Sequence, residues 1–148
     1  MKPVLLFLVS LLAFPLAVLP STERYAVTMD MGRASFTGIM VMCQDDGAIR
    51  GSMVNEFGVS TMDFIYDKAR DRVRLCHVVS FMDKWYVRQL LRRDLRFCLY
   101  ILYNKVYARR HSYAVEHDGD GVSIANTRRG ITYTFVRLRH EDTDDTEG

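Results

Sequence analysis

The chain has 148 residues, 49% of them hydrophobic and 26% charged, with a formal net charge of +2 at pH 7. A chain of this size can bury one hydrophobic core without disulfide or metal staples, which excludes a small stapled scaffold. The modest charge hides an uneven distribution: residues 140–148 (HEDTDDTEG) hold five acids and neither Lys nor Arg. Setting Lys2 aside, 19 basic and 13 acidic residues lie outside that tail, an excess of six.

The chain opens with Lys2 and an apolar run from Val4 to Leu19, interrupted only by Ser10 and Pro15. A charged start, an apolar middle and a polar exit at Pro20, Ser21 and Thr22 form the layout of an export signal. The run falls short of the roughly 20 residues that cross a bilayer, and Pro15 would bend a spanning helix, so removal of residues 1–21 is expected. The apolar run ends without a Cys to accept a lipid anchor. Residues 22–139 are then expected to form one domain and residues 140–148 a disordered acidic tail, too polar to offset their ordering entropy.

From Tyr25 to Phe81 apolar and polar residues alternate with period two, broken by turn residues. The turns are Gly32-Arg33, Asp45-Asp46-Gly47, Glu56-Phe57-Gly58 and the charged run Asp67 to Asp71. They separate strands expected near 24–31, 35–43, 48–55, 59–66 and 72–80. Connections this short join neighbouring strands, so a meander in sequence order is predicted. Residues 83–103 then change period, with Val87, Leu90, Leu91, Leu95, Cys98, Leu99 and Leu102 at helical spacing and Asp83 as the expected N-cap. Alternation returns in strands expected near 111–117, 121–126 and 131–138, joined by turns at 118–121 and 127–130. About eight antiparallel strands and one long helix give an α+β fold, a curved sheet over the helix.

Chemistry-bearing residues are scattered. Cys43, Cys76 and Cys98 match no metal spacing or redox pair, and burial as small hydrophobes is expected. His77, His111, His117 and His140 fit no metal motif, and no nucleophile elbow, phosphate loop or zinc signature is present. His77 is singled out because counting in twos from Val73 and Leu75 places it on the apolar strand face. The string HDGDG at 117–121 lacks the further acids of a calcium loop, and a hairpin turn explains it. No catalytic residue, metal or cofactor is therefore assigned, and the chain is expected not to be an enzyme.

Two features point to binding. Arg88, Arg92 and Arg96 recur every four residues with Arg93 beside them, a basic helix face suited to anionic lipid headgroups or an acidic partner. An ordinary solvated helix face is the competing account. Met29, Met31, Met40, Met42, Met53 and Met62 make the sheet rich in flexible, polarizable side chains. Such residues, Met82 among them, can re-pack around apolar ligands, although as a rule a methionine-rich interior is plain core.

The segments SFTGIMVM (35–42), VNEFGVSTMDFIYD (54–67) and FMDKWYVRQLLRRDLRFCL (81–99) resemble a poorly characterised family of secreted, often lipidated envelope proteins of Gram-negative bacteria. The likeness covers about half of the chain. The order of strands, helix and strands is also similar to the outer-membrane lipoprotein carrier and receptor superfamily. This resemblance implies a periplasmic or envelope location and a half-barrel sheltering acyl chains. Its lining would be the methionines above with Trp85, Leu91, Leu95 and Leu99, and the arginines would stand near the mouth. Lipid, an acylated protein or an envelope protein is the implied partner, with membrane contact peripheral at most. An exported chain is not expected to meet nucleic acid. The alternatives are an interaction module with a self-packed core, and a hydrolase built around an unrecognised residue such as His77.

Overall fold

The computed structural model describes residues 21–104 and 112–139. The expected leader, the acidic tail, His111 and His140 lie outside the described residues. Eight strands form a single antiparallel sheet. They are β1 (Ser21–Asp30), β2 (Ser35–Asp45), β3 (Ala48–Val54), β4 (Ser60–Asp67), β5 (Arg72–Val78), β6 (Tyr113–Asp118), β7 (Gly121–Asn126) and β8 (Ile131–Arg137). One α-helix, α1 (Trp85–Asn104), and a short 3-10 turn (Ser80–Met82) separate β5 from β6.

The spatial order is β5-β4-β3-β2-β1-β8-β7-β6. Two sequential meanders therefore meet at a β1–β8 seam, where Tyr25 faces Arg137 and Met29 faces Tyr133. The short turns dictate the rest. Gly32, Gly47, Gly58, Gly119 and Gly130 all have positive φ, the region that closes tight turns and that side chains resist. Asn55 fixes one of them by accepting the Phe57 and Val59 amides on its side-chain oxygen at 3.0 and 2.9 Å.

Alternation places one face of the sheet inward: Tyr25, Val27 and Met29 on β1, Met40 and Met42 on β2, Phe64 and Tyr66 on β4, and Tyr133 and Phe135 on β8 are buried. The helix covers this face with Leu91, Leu95, Phe97, Cys98, Leu99 and Ile101. Gly51 makes room for the ring of Phe64 on the neighbouring strand, since a Cβ there would lie 2.2 Å from it. Tyr103 ties the helix to β2 by donating its hydroxyl to Met42 Sδ at 3.8 Å.

Several expectations are corrected. Asp83 is not the cap of α1; it ends the 3-10 turn, and its carboxylate takes the Arg88 guanidinium. His77 does not face inward. The β4–β5 register slips between Asp63 and Phe64, which pair with His77 and Leu75 respectively. This bulge lets Cys76 and His77 both face solvent and returns Val78 to the core, so counting in twos fails after Leu75. Of the three cysteines, only Cys98 is buried; Cys43 is half-buried, Cys76 is exposed, and all three are free thiols. Met31 lies past the end of β1 and is exposed, and Trp85, 77% exposed, lines no interior.

Candidate functional site

The inward methionines form a row. Register places Met40 beside Met53 and Met53 beside Met62, across β2, β3 and β4. Met40 and Met42 are fully buried, as are Leu91, Leu95 and Leu99 above them, so the middle of the sheet is packed solid rather than lined.

The interior opens at one end. Where β1, β3 and β5 end and β2 and β4 begin, a pocket of about 260 Å³ is lined by Met29, Phe36, Met53, Met62, Phe81 and Met82. Phe36 and Phe81 stack across it, with ring centroids 5.9 Å apart. Phe57 and Val59 of the β3–β4 turn stand on the rim, and Ser35, Thr37, Asn55, Glu56 and Thr61 are the polar members. Phe57 is 81% exposed, and Phe81, Trp85 and Tyr86 are exposed as well. Phe57 and Phe81 thus face water at this pocket, while Trp85 and Tyr86 line a separate hollow with Arg93 and Arg129; burying such rings would remove a large apolar area from solvent.

The helix carries two polar systems. Inward, the Asp94 carboxylate is fully buried and accepts hydrogen bonds from Tyr113 Oη at 2.6 Å, Asn126 Nδ2 at 2.9 Å and Tyr133 Oη at 2.5 Å. Burial, together with the neighbouring carboxylate, raises the ionisation of both tyrosine hydroxyls well above the ordinary range, which keeps them as donors. Burial first, and then the Asp94 charge, also pushes up the Cys98 thiol, leaving it un-ionised and unreactive. Asn126 passes the network on to the β7–β8 turn by accepting the Arg129 amide at 3.2 Å. A carboxylate so enclosed and so fully bonded meets no substrate; it fixes the helix on the sheet.

Outward, the predicted basic face divides. Arg88 turns back to Asp83. Arg92, Arg93 and Arg96 instead face a hollow of about 500 Å³ whose far wall is Arg70, Asp71 and Arg72, the turn before β5. This hollow and the apolar pocket lie at opposite ends of β5, a strand of seven residues spanning about 23 Å, so the arginines do not stand at the pocket mouth as expected.

No protein-family model matches the chain, and no curated protein matches it significantly. The functional reading therefore rests on the geometry above. Among the described residues no group of three or more His, Cys, Asp or Glu could hold a metal, and no helix is long and apolar enough to cross a membrane.

The structure brings Met29, Met53 and Met62 to the pocket and leaves Met40, Met42, Leu91, Leu95 and Leu99 in the closed core. Sequence reasoning missed Phe36 and Phe81 as lining residues, whereas Met82 belongs to the methionine-rich set that the sequence displays. Phe36 shares the parity of Met40 and Met42 on β2, but alternation marks a face and not an opening, and Phe81 in the 3-10 turn belongs to no periodic pattern. Asp94 carried a stronger signal: it lies three residues after Leu91 and four before Cys98, an acid on the apolar stripe.

Proposed function

We propose that this is an exported, non-enzymatic binding protein that takes an apolar group, such as part of an acyl chain, into the pocket beside the stacked rings of Phe36 and Phe81. The observation carrying the proposal is that pocket, an apolar hollow with exposed aromatic rings at its rim. Its volume lies just below the roughly 300–1,000 Å³ of sites that engulf a whole small molecule, so the ligand enters in part. Each methylene removed from water contributes about 0.8 kcal/mol, enough for a short stretch of chain to give measurable affinity. Export rests on the pattern of Lys2 to Thr22, and the half-barrel likeness to lipoprotein carriers supports the ligand class.

Native mass spectrometry with lipid extraction, on protein purified from its own envelope fraction, should show an adduct of lipid mass. Binding of a dye-labelled long-chain fatty acid should weaken about tenfold, near 1.4 kcal/mol, in Phe81→Ala. Stability should change little, because that ring is 59% exposed. A bare mass together with no binding of the labelled fatty acid would sink the proposal. The exposed rings of Phe57 and Phe81 favour a second reading, an envelope interaction module whose partner covers that end of the sheet. His77, the residue on which a hydrolase reading would first be tested, faces solvent on the outer side of β5.

A further inference from the structure

The hollow between α1 and the β4–β5 turn gathers like charges from segments about twenty residues apart. Arg92 and Arg96 are one helical turn apart on the same face, and Arg93 is three residues from Arg96. Arg70 and Arg72 approach from the turn. Five guanidinium groups thus surround one carboxylate, that of Asp71.

Asp71 has its own structural task. It is the only non-glycine with positive φ (49°) among the described residues, a conformation that Asp tolerates better than most residues. Its carboxylate accepts the Tyr66 hydroxyl at 2.7 Å and lies 3.8 Å from Arg96 Nε. One acid therefore pins the arginine-bearing turn to the arginine-bearing helix and cannot neutralise the rest. Among the described residues the Arg70 guanidinium has a long, exposed contact to Asp67, at 3.9 Å. Arg92 spends its Nε on the Arg88 carbonyl at 3.4 Å, which leaves its two terminal nitrogens for other acceptors. Guanidinium groups present planar forks that match the oxygens of a phosphate group, and several around one concavity focus a positive field into it.

We propose that this hollow is a binding site for a phosphate group, with Arg92 and Arg96 on one side and Arg70 and Arg72 on the other gripping its oxygens. The bound oxygens supply the negative charge that Asp71 alone does not. The phosphate belongs either to a small soluble phosphoester or to a phospholipid headgroup. The site does not depend on the apolar pocket, which lies beyond the other end of β5.

The test uses the full chain at low salt with three probes: inorganic pyrophosphate, phosphatidylglycerol vesicles and phosphatidylcholine vesicles. Saturable pyrophosphate binding that weakens at least tenfold in Arg92→Gln/Arg96→Gln, and falls with added salt, supports the site and a soluble ligand. Failure with pyrophosphate, but retention on phosphatidylglycerol and not on phosphatidylcholine, lost in the same double variant, supports the site with a headgroup as its ligand. Arg70→Gln/Arg72→Gln, which leaves the helix untouched, should reproduce either loss. No binding to pyrophosphate or to phosphatidylglycerol, or binding that both double variants retain, overturns the proposal.

Discussion

Asp94 and the arginines around it are neighbours in sequence yet belong to opposite regimes. Arg92, Arg93, Asp94 and Arg96 lie within five residues of one helix, and no ion pair joins the acid to the bases among the described contacts. A rotation of about 100° per residue separates them. It carries Asp94 under the sheet to three donors and leaves the arginines outside around a single acid. The buried charge is matched by neutral hydroxyl and amide dipoles within the fold; the exposed charges are not matched. Charge balanced internally holds structure, and charge left over on a concave surface is available to a ligand.

The comparison breaks most visibly at Asp94. Asp94→Ala would leave the hydroxyls of Tyr113 and Tyr133 and the Asn126 amide without their acceptor, and urea unfolding should show a loss on the order of 3 kcal/mol or more. A loss under about 1 kcal/mol would mean that the network does not hold the helix. Tyr133→Phe removes one donor from the carboxylate and should cost about 1.5–3 kcal/mol.

The same tyrosines predict a pH dependence. Burial, with the adjacent Glu23 carboxylate second, pushes the Tyr25 hydroxyl up to about 12, and Tyr66, Tyr103, Tyr113 and Tyr133 are raised further. Their folded hydroxyls keep the proton longer than unfolded ones, which lose it near pH 10. Their contribution is therefore complete below pH 10 and declines as pH rises from there through 12. Unfolding free energies measured at pH 9 and 11 should show the fall, and Tyr133→Phe should reduce it. The smallest effect sharpens the other side: Arg92→Ala should move stability by less than about 0.5 kcal/mol, because the fold leaves that charge unused.

The strand order of the first meander was legible because its turns are short and its alternation regular. The helix was legible because seven apolar residues keep one period from Val87 to Leu102. What escaped depended on three-dimensional exceptions. The bulge that turns His77 outward inserts one residue into a ladder, and no residue type in HVVSF announces it. The difference between Met40 in the core and Met53 at the pocket is one of position along the sheet, which alternation cannot express. Pairing of β1 with β8 brings together segments more than a hundred residues apart, and local pattern carries no information about it. The arginines were visible as a stripe, yet the opposing wall from Arg70 to Arg72 needed the fold to bring it near.

The β1–β8 seam also has a practical meaning. Because the two strands run antiparallel, the start of β1 lies beside the end of β8, where the Leu138 amide donates to the Arg24 carbonyl at 2.9 Å. That junction is remote from the aromatic pocket, which opens where β1 ends. A tag, bead or sensor surface coupled ahead of β1 or behind β8 would leave the pocket pointing away from the support. A circularly permuted chain, joined across this junction and reopened at Asp46-Gly47, would retain all of the strand ladders.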